Sequence, residues 1–172
     1  IADKATVAGV EVEIRKNLFV RPVSNAAHGM NKLSLGLNGS YIYTNAKMPL
    51  ATVTTGSQLE GAAPWIVNFD LSHNFTKGER SFVNTLVLNY VSDKIYTIGT
   101  QGYQDIMEQG VLTLDFVSQA KLNKHLSLNL KARNLLNPSY KLSRKANENG
   151  EKVILNDYKK GINISLGVSC TF

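Results

Sequence analysis

The chain ends in Gly161-Ile162-Asn163-Ile164-Ser165-Leu166-Gly167-Val168-Ser169-Cys170-Thr171-Phe172, where every even position is apolar and every odd position is polar or glycine. Successive side chains of an extended strand point to opposite faces, whereas a helix would scatter this pattern around its circumference. The stretch therefore reads as a strand with one apolar and one polar face. The same period recurs upstream. Leu126, Leu128, Leu130 and Ala132 alternate with Ser127, Asn129, Lys131 and Arg133, and Leu112, Leu114 and Phe116 with Thr113 and Asp115. Trp65, Val67, Phe69 and Leu71 alternate with Asn68, Asp70 and Ser72; Leu33, Leu35, Leu37, Tyr41 and Tyr43 with Ser34, Asn38 and Ser40; and Ala8, Val10, Val12 and Ile14 with Glu11, Glu13 and Arg15. Between Phe82 and Ser92 both sets are mixed, since Asn84 interrupts the even one and Val83, Val87 and Val91 occupy the odd one. The fold class is all-β, with about seven strands of roughly 9 to 13 residues and no helical stretch between them.

The connections give the topology. Short polar turns at 76–80 and 123–125 alternate with long polar loops at 45–62, 95–109 and 136–157. If the chain reverses at each connection, the long loops share one end of an antiparallel up-and-down meander, and the short turns share the other with the C-terminus. The connection from Phe19 to Met30 falls at the short-turn end but is too long for its class. Phe75, Phe82 and Phe172 lie towards the short-turn end, and Tyr43, Trp65, Tyr90 and Tyr158 towards the other. Two aromatic girdles around an aliphatic band suit the two interfaces of a membrane.

Composition agrees with a membrane barrel. The chain has 172 residues, a formal net charge of +6 and scattered basic residues, which does not make a nucleic-acid footprint. Mean hydropathy is −0.13, the value expected where polar and apolar residues alternate. The single cysteine, Cys170, excludes an intrachain disulfide. The chain begins at Ile1 and is read as a piece of a longer protein. Two other readings of the pattern are a soluble lipocalin-like carrier, with its apolar face turned inward, and a small structural or adhesive outer-membrane barrel.

Two segments resemble a known family. Ser165, Gly167, Cys170 and the terminal Phe172 fit the barrel-assembly signal of bacterial outer-membrane proteins. The segment Gln58-Leu59-Glu60-Gly61-Ala62-Ala63-Pro64-Trp65-Ile66-Val67-Asn68 resembles a loop-to-strand junction of TonB-dependent receptors, particularly of the Bacteroidetes type. Leu88-Asn89-Tyr90, Lys94-Ile95-Tyr96-Thr97-Ile98-Gly99, Asp105-Ile106-Met107-Glu108-Gln109 and Ala132-Arg133-Asn134-Leu135-Leu136-Asn137 follow in that family's order. Phe69-Asp70 departs from it, a small residue and glycine being more usual there, as does Cys170. The resemblance implies the C-terminal segment, residues 1–172, of a barrel of about 22 strands. It implies a plug domain and TonB box in the missing N-terminal part, and a periplasmic C-terminus. The implied partners are outer-membrane lipid, the barrel-assembly machinery, the inner-membrane TonB complex reached through the missing part, and a small-molecule nutrient of unknown identity.

Nothing in the sequence suggests an enzyme or a cofactor. His28, His73 and His125 lie on separate connections and strands, and no Ser or Cys is placed with a His by a recognisable catalytic spacing. Cys170 alternates with apolar neighbours and is expected to face lipid. Glu11, Glu13, Arg15, Asn68, Asp70, Asn89, Asp115, Lys131 and Arg133 are expected to face the lumen, with Asp115 paired to Lys131 or Arg133 inside the wall. Such polar ladders commonly rigidify a barrel wall or hold a plug. The loops offer Tyr96, Gln101, Tyr103 and Gln104, and single out no ligand contact.

Overall fold

The computed structural model describes residues 4–23, 29–47, 58–100, 103–146 and 150–171. Among them are eleven strands and no helix: β1 (Lys4–Pro22), β2 (Met30–Lys47), β3 (Trp65–Lys77), β4 (Arg80–Val91), β5 (Lys94–Thr97), β6 (Ile106–Glu108), β7 (Val111–Lys121), β8 (Leu126–Arg133), β9 (Ser139–Lys145), β10 (Lys152–Lys159) and β11 (Asn163–Cys170). Seven form an antiparallel sheet in the order β1-β2-β3-β4-β7-β8-β11. This is the expected meander, left open at β1 and β11.

The short turns form where the sequence places them. Gly78 takes φ 59° in the two-residue turn between β3 and β4, a conformation open to glycine at little cost. Between β7 and β8, Asn123 Oδ1 accepts the backbone N–H groups of His125 and Leu126, each at 2.8 Å. The long connection after Phe19 begins as strand, and its residues 24–28 lie outside the described residues. Register slips by one residue at Leu18, so that Asn17 faces Ser34 while Phe19 faces Leu33, and β1 continues to Pro22. The bulge hides this continuation from a strict two-residue period and gives β1 its 19 residues, more than the sequence pattern predicts.

The two other described long connections are also not loops. β4, β7, β8 and β11 each run past a short break into β5, β6, β9 and β10, which form a second sheet in the order β10-β9-β6-β5. Neighbours below the break therefore remain neighbours above it. β5 with β6, and β9 with β10, are two antiparallel strand pairs carrying the wall onward. Of the third long connection, residues 48–57 lie outside the described residues.

Directly opposed residues of an antiparallel ladder project to the same face, so register assigns the faces across the whole sheet. One row reads Ile14, Leu37, Phe69, Leu88 and Leu114; another reads Leu35, Leu71, Leu86, Phe116, Ala132 and Ile164. The even set of β4 thus joins the apolar face, which resolves its ambiguity. Tyr41 packs on Trp65 at 4.5 Å between ring centroids, and Phe75 on Phe82 at 6.4 Å. From Tyr90 to Phe82, at about 3.3 Å per residue and about 40° of tilt, is roughly 20 Å, close to the apolar band of a transmembrane barrel. Tyr158 does not belong to this girdle. It stacks on Tyr140 in the second sheet, with centroids 5.5 Å apart.

The apolar face has no protein against it. Ile164, Leu166 and Val168 are 70, 73 and 65% exposed, and among the described residues no large side chain is fully buried. A lipocalin-like carrier would bury its apolar face in a core. In this sheet the apolar face is not buried in a core among the described residues, as is expected of a barrel wall that meets lipid.

Candidate functional site

The polar face is tied together by side chains. Register aligns Glu13, Asn38, Asn68, Asn89 and Thr113 in one row across five strands. Asn38 Nδ2 donates to Glu11 Oε1 at 2.6 Å, Asn68 Nδ2 donates to Asn38 Oδ1 at 3.3 Å, and Asn89 Nδ2 donates to Asn68 Oδ1. Asn38 and Asn68 each use the oxygen towards one neighbouring strand and the nitrogen towards the other, which makes a directional chain from Asn89 on β4 to Glu11 on β1. Two residues along, Asp70 lies opposite Gly36. Its carboxylate fills the space a side chain at 36 would need, since a Cβ there would stand 2.1 Å from Asp70 Oδ1. Arg15, Lys32 and Ser34 join Asp70 around a cleft of about 210 Å³ on this face.

At the line of breaks, backbone groups released from the ladder are taken up by side chains. Asp93 Oδ1 accepts the Gly110 N–H at 2.6 Å and Asp115 Oδ1 accepts the Asn134 N–H at 2.8 Å. Asn134 and Asn137 adopt φ 58° and 43°, a region asparagine tolerates better than most residues. Asn134 Nδ2 donates to Gly161 O at 2.7 Å, and Gly161 N–H returns a bond to Asn137 Oδ1 at 3.1 Å. The Asn134-Leu135-Leu136-Asn137 stretch is thus the clasp between the β8–β9 and β10–β11 arms.

Immediately beside this clasp, where Asn89 and Thr113 reach the second sheet, is a cavity of about 280 Å³. Its chemistry comes from Asn89, Lys94, Glu108, Gln109, Tyr140 and Lys160. Lys94 and Glu108 pair at 3.4 Å, each side chain about a quarter exposed. Lys160 Nζ lies 3.8 Å from the centroid of the Tyr140 ring. The cavity offers both charges, amides and one aromatic face, groups that bind a polar solute by hydrogen bonds and stacking.

The family model described as TonB dependent receptor-like, beta-barrel, matches residues 1–135. The chain belongs to this family. TonB-dependent receptor barrels are transporters of the bacterial outer membrane that work with TonB, and they are not an enzyme family. No curated protein and no solved structure gives a match.

In this TonB-dependent receptor barrel, the polar residues singled out in the sequence fall together on one face. Glu11, Glu13, Asn68, Asp70, Asn89, Asp115, Lys131 and Arg133 all belong to its register rows. Three depart from expectation in their contacts. Asp115 makes no ion pair with Lys131 or Arg133, because its carboxylate is committed to the Asn134 N–H of the clasp. The described ion pairs are Arg15–Glu13, Lys94–Glu108 and Lys141–Asp157. Ser165, Gly167 and Cys170 lie on the edge strand β11, while Phe172 lies outside the described residues. The histidines are not brought together: His73 Nε2 bonds Asn31 Oδ1 at 2.8 Å, His125 Nδ1 bonds Thr171 O at 2.8 Å, and His28 lies outside the described residues. No cluster of metal-ligating side chains occurs among the described residues. The cavity drew no sequence signal, because Lys94, Glu108, Tyr140 and Lys160 stand on four arms that meet only through the second sheet.

Proposed function

We propose that this chain forms the C-terminal strands of a TonB-dependent receptor of the Bacteroidetes type with about 22 strands, preceded by a plug domain. The polar face lines the lumen, the apolar face meets outer-membrane lipid, and the C-terminus is periplasmic, so the second sheet stands at the extracellular end. Ser165, Gly167, Cys170 and Phe172 present the closing strand to the barrel-assembly machinery. The receptor binds and imports a scarce nutrient: a siderophore, haem, vitamin, glycan or peptide. The observation carrying this reading is the cavity at the clasp. It opens on the same face as the Asn38-Asn68-Asn89 chain and is lined by polar groups from both sheets, where a solute descending from the loops first meets the wall.

The test is uptake of labelled nutrients of these five classes by cells carrying the intact receptor, a deletion, or the receptor with Lys94→Ala and Tyr140→Ala. One class is taken up by the intact receptor and lost in the deletion, and the double variant weakens its uptake about tenfold, or about 1.4 kcal/mol. The amount of receptor folded in the outer membrane, read from the gel band that shifts on boiling, stays unchanged. Uptake unaltered by the double variant would remove the cavity from the path. A boiling-sensitive band near 18.9 kDa would replace the transporter with a small self-associating barrel.

A further inference from the structure

One register row on the apolar face breaks its chemistry. It reads Phe19, Leu33, His73, Asn84, Ser118, Leu130 and Leu166, placing three polar side chains side by side on β3, β4 and β7. The row above is Leu35, Leu71, Leu86 and Phe116, and the row below contains Phe75, Phe82 and Ala120, so apolar rows flank it on both sides. Asn31 extends the polar island onto β2 through its 2.8 Å bond to His73 Nε2, and Ser118 Oγ donates to Asn84 Oδ1 at 2.7 Å. Opposite Asn31 on β1 stands Arg21, whose guanidinium lies 5.6 Å from the Phe19 ring on the same face.

Polar side chains turned towards hydrocarbon are costly unless partnered. The internal bonds satisfy the oxygens of Asn31 and Asn84 and leave both NH₂ groups as donors, with the Arg21 guanidinium beside them. Donors and one fixed positive charge, rimmed by Phe19, Phe75 and Phe82 near the short-turn interface, complement a phosphate and its neighbouring ester carbonyls. A protein surface recognising this face would have no such need for a cation at its border.

We propose that Arg21, Asn31, His73, Asn84 and Ser118 form a site for the headgroup of an anionic phospholipid in the leaflet at the short-turn end. The phosphate sits against Arg21 and Asn31 with its glycerol esters over His73, and Asn84 and Ser118 extend the site towards a second headgroup. The island spans about four strand spacings, roughly 19 Å, room for two headgroups side by side. This rests on the assignment of the apolar face to lipid.

The intact receptor, reconstituted in nanodiscs of equal phosphatidylglycerol and phosphatidylcholine and then extracted, is weighed by native mass spectrometry to count retained lipids. The unaltered receptor keeps phosphatidylglycerol in preference, Arg21→Ala reduces that preference about fivefold, and His73→Leu with Asn84→Leu removes retention of both lipids. The leucine pair makes the face more apolar, and its boiling-sensitive gel band confirms the fold. Equal retention by all variants overturns the site, and a protein co-purifying with the unaltered receptor alone overturns it in favour of a protein contact. With Cys170→Ser to remove the native thiol, a lipid-soluble thiol probe at Leu128→Cys on the same face separates these failures from a wrong face assignment: labelling there leaves the wall reading intact, and absence of labelling sinks both.

Discussion

Gly36→Ala adds one methyl group to a strand, a change that ordinarily gains stability because alanine is less flexible than glycine. Here the new Cβ would stand 2.1 Å from Asp70 Oδ1 and 2.8 Å from its Cγ. Turning the carboxylate about its last bond moves the oxygen but not Cγ, so Asp70 must change its first side-chain torsion or β2 and β3 must separate. Either response draws the carboxylate away from the cleft it shares with Arg15 and Lys32. Overpacking of this kind costs about 1–3 kcal/mol, and buried Gly36 against half-buried Asp70 falls within that range. In an Asp70→Ala background the obstacle is gone, and the same substitution is neutral or stabilising by up to about 0.5 kcal/mol. Urea unfolding of the full-length receptor in lipid vesicles, followed by the loss of the boiling-sensitive band, measures both. Equal costs in the two backgrounds would refute the steric account, as would no cost in either. Asp70→Asn keeps the volume and loses the charge, so it leaves most of the Gly36→Ala penalty in place.

Asn68→Leu removes the central link of the amide chain and costs about 1–2 kcal/mol; a cycle with Asn89→Leu shows a coupling of about 0.5–1.5 kcal/mol, read from the same unfolding curves. Asn137→Ala loses both the acceptor for Gly161 N–H and a residue suited to φ 43°. It destabilises by about 1–2 kcal/mol, whereas Asn137→Gly recovers the backbone share and costs about half as much. Leu166→Arg, on the apolar face of β11, costs about 2–4 kcal/mol in bilayers, and Ser165→Arg next to it less than about 1 kcal/mol. Reversal of that order in unfolding measurements would exchange the two faces.

The wall was legible because a two-residue period survives in long strands. It fails where its physical basis does. The bulge at Leu18 shifts the alternation by one residue, which concealed the last part of β1. The second sheet is built from β5 and β6, with 4 and 3 residues, too short to show a period. In β10, Val153, Ile154 and Leu155 are consecutive and all exposed, with a register shift between Ile154 and Asn156, so alternation is lost there too. Asp115 shares a register row with Asp70 through Val87, but its partner is a backbone N–H 19 positions away, which no side-chain pattern announces. The amide chain left one trace: asparagine, disfavoured in strands, stands in mid-strand at 38, 68 and 89. That the three share a row follows only from register. Phe69-Asp70, the departure from the family pattern, finds its structural counterpart in Gly36, a residue unremarkable in the sequence.

The central claim is that one face of this sheet meets lipid and the other meets water. In the full-length receptor in outer-membrane vesicles, with Cys170→Ser to remove the native thiol, Leu128→Cys and Asn129→Cys are labelled separately by a lipid-soluble and a water-soluble thiol reagent. These neighbours lie between β7 and β11 and project to opposite faces. The lipid-soluble reagent is expected to label position 128 and the water-soluble reagent position 129. The reverse preference, or water-soluble labelling of both, would contradict the account.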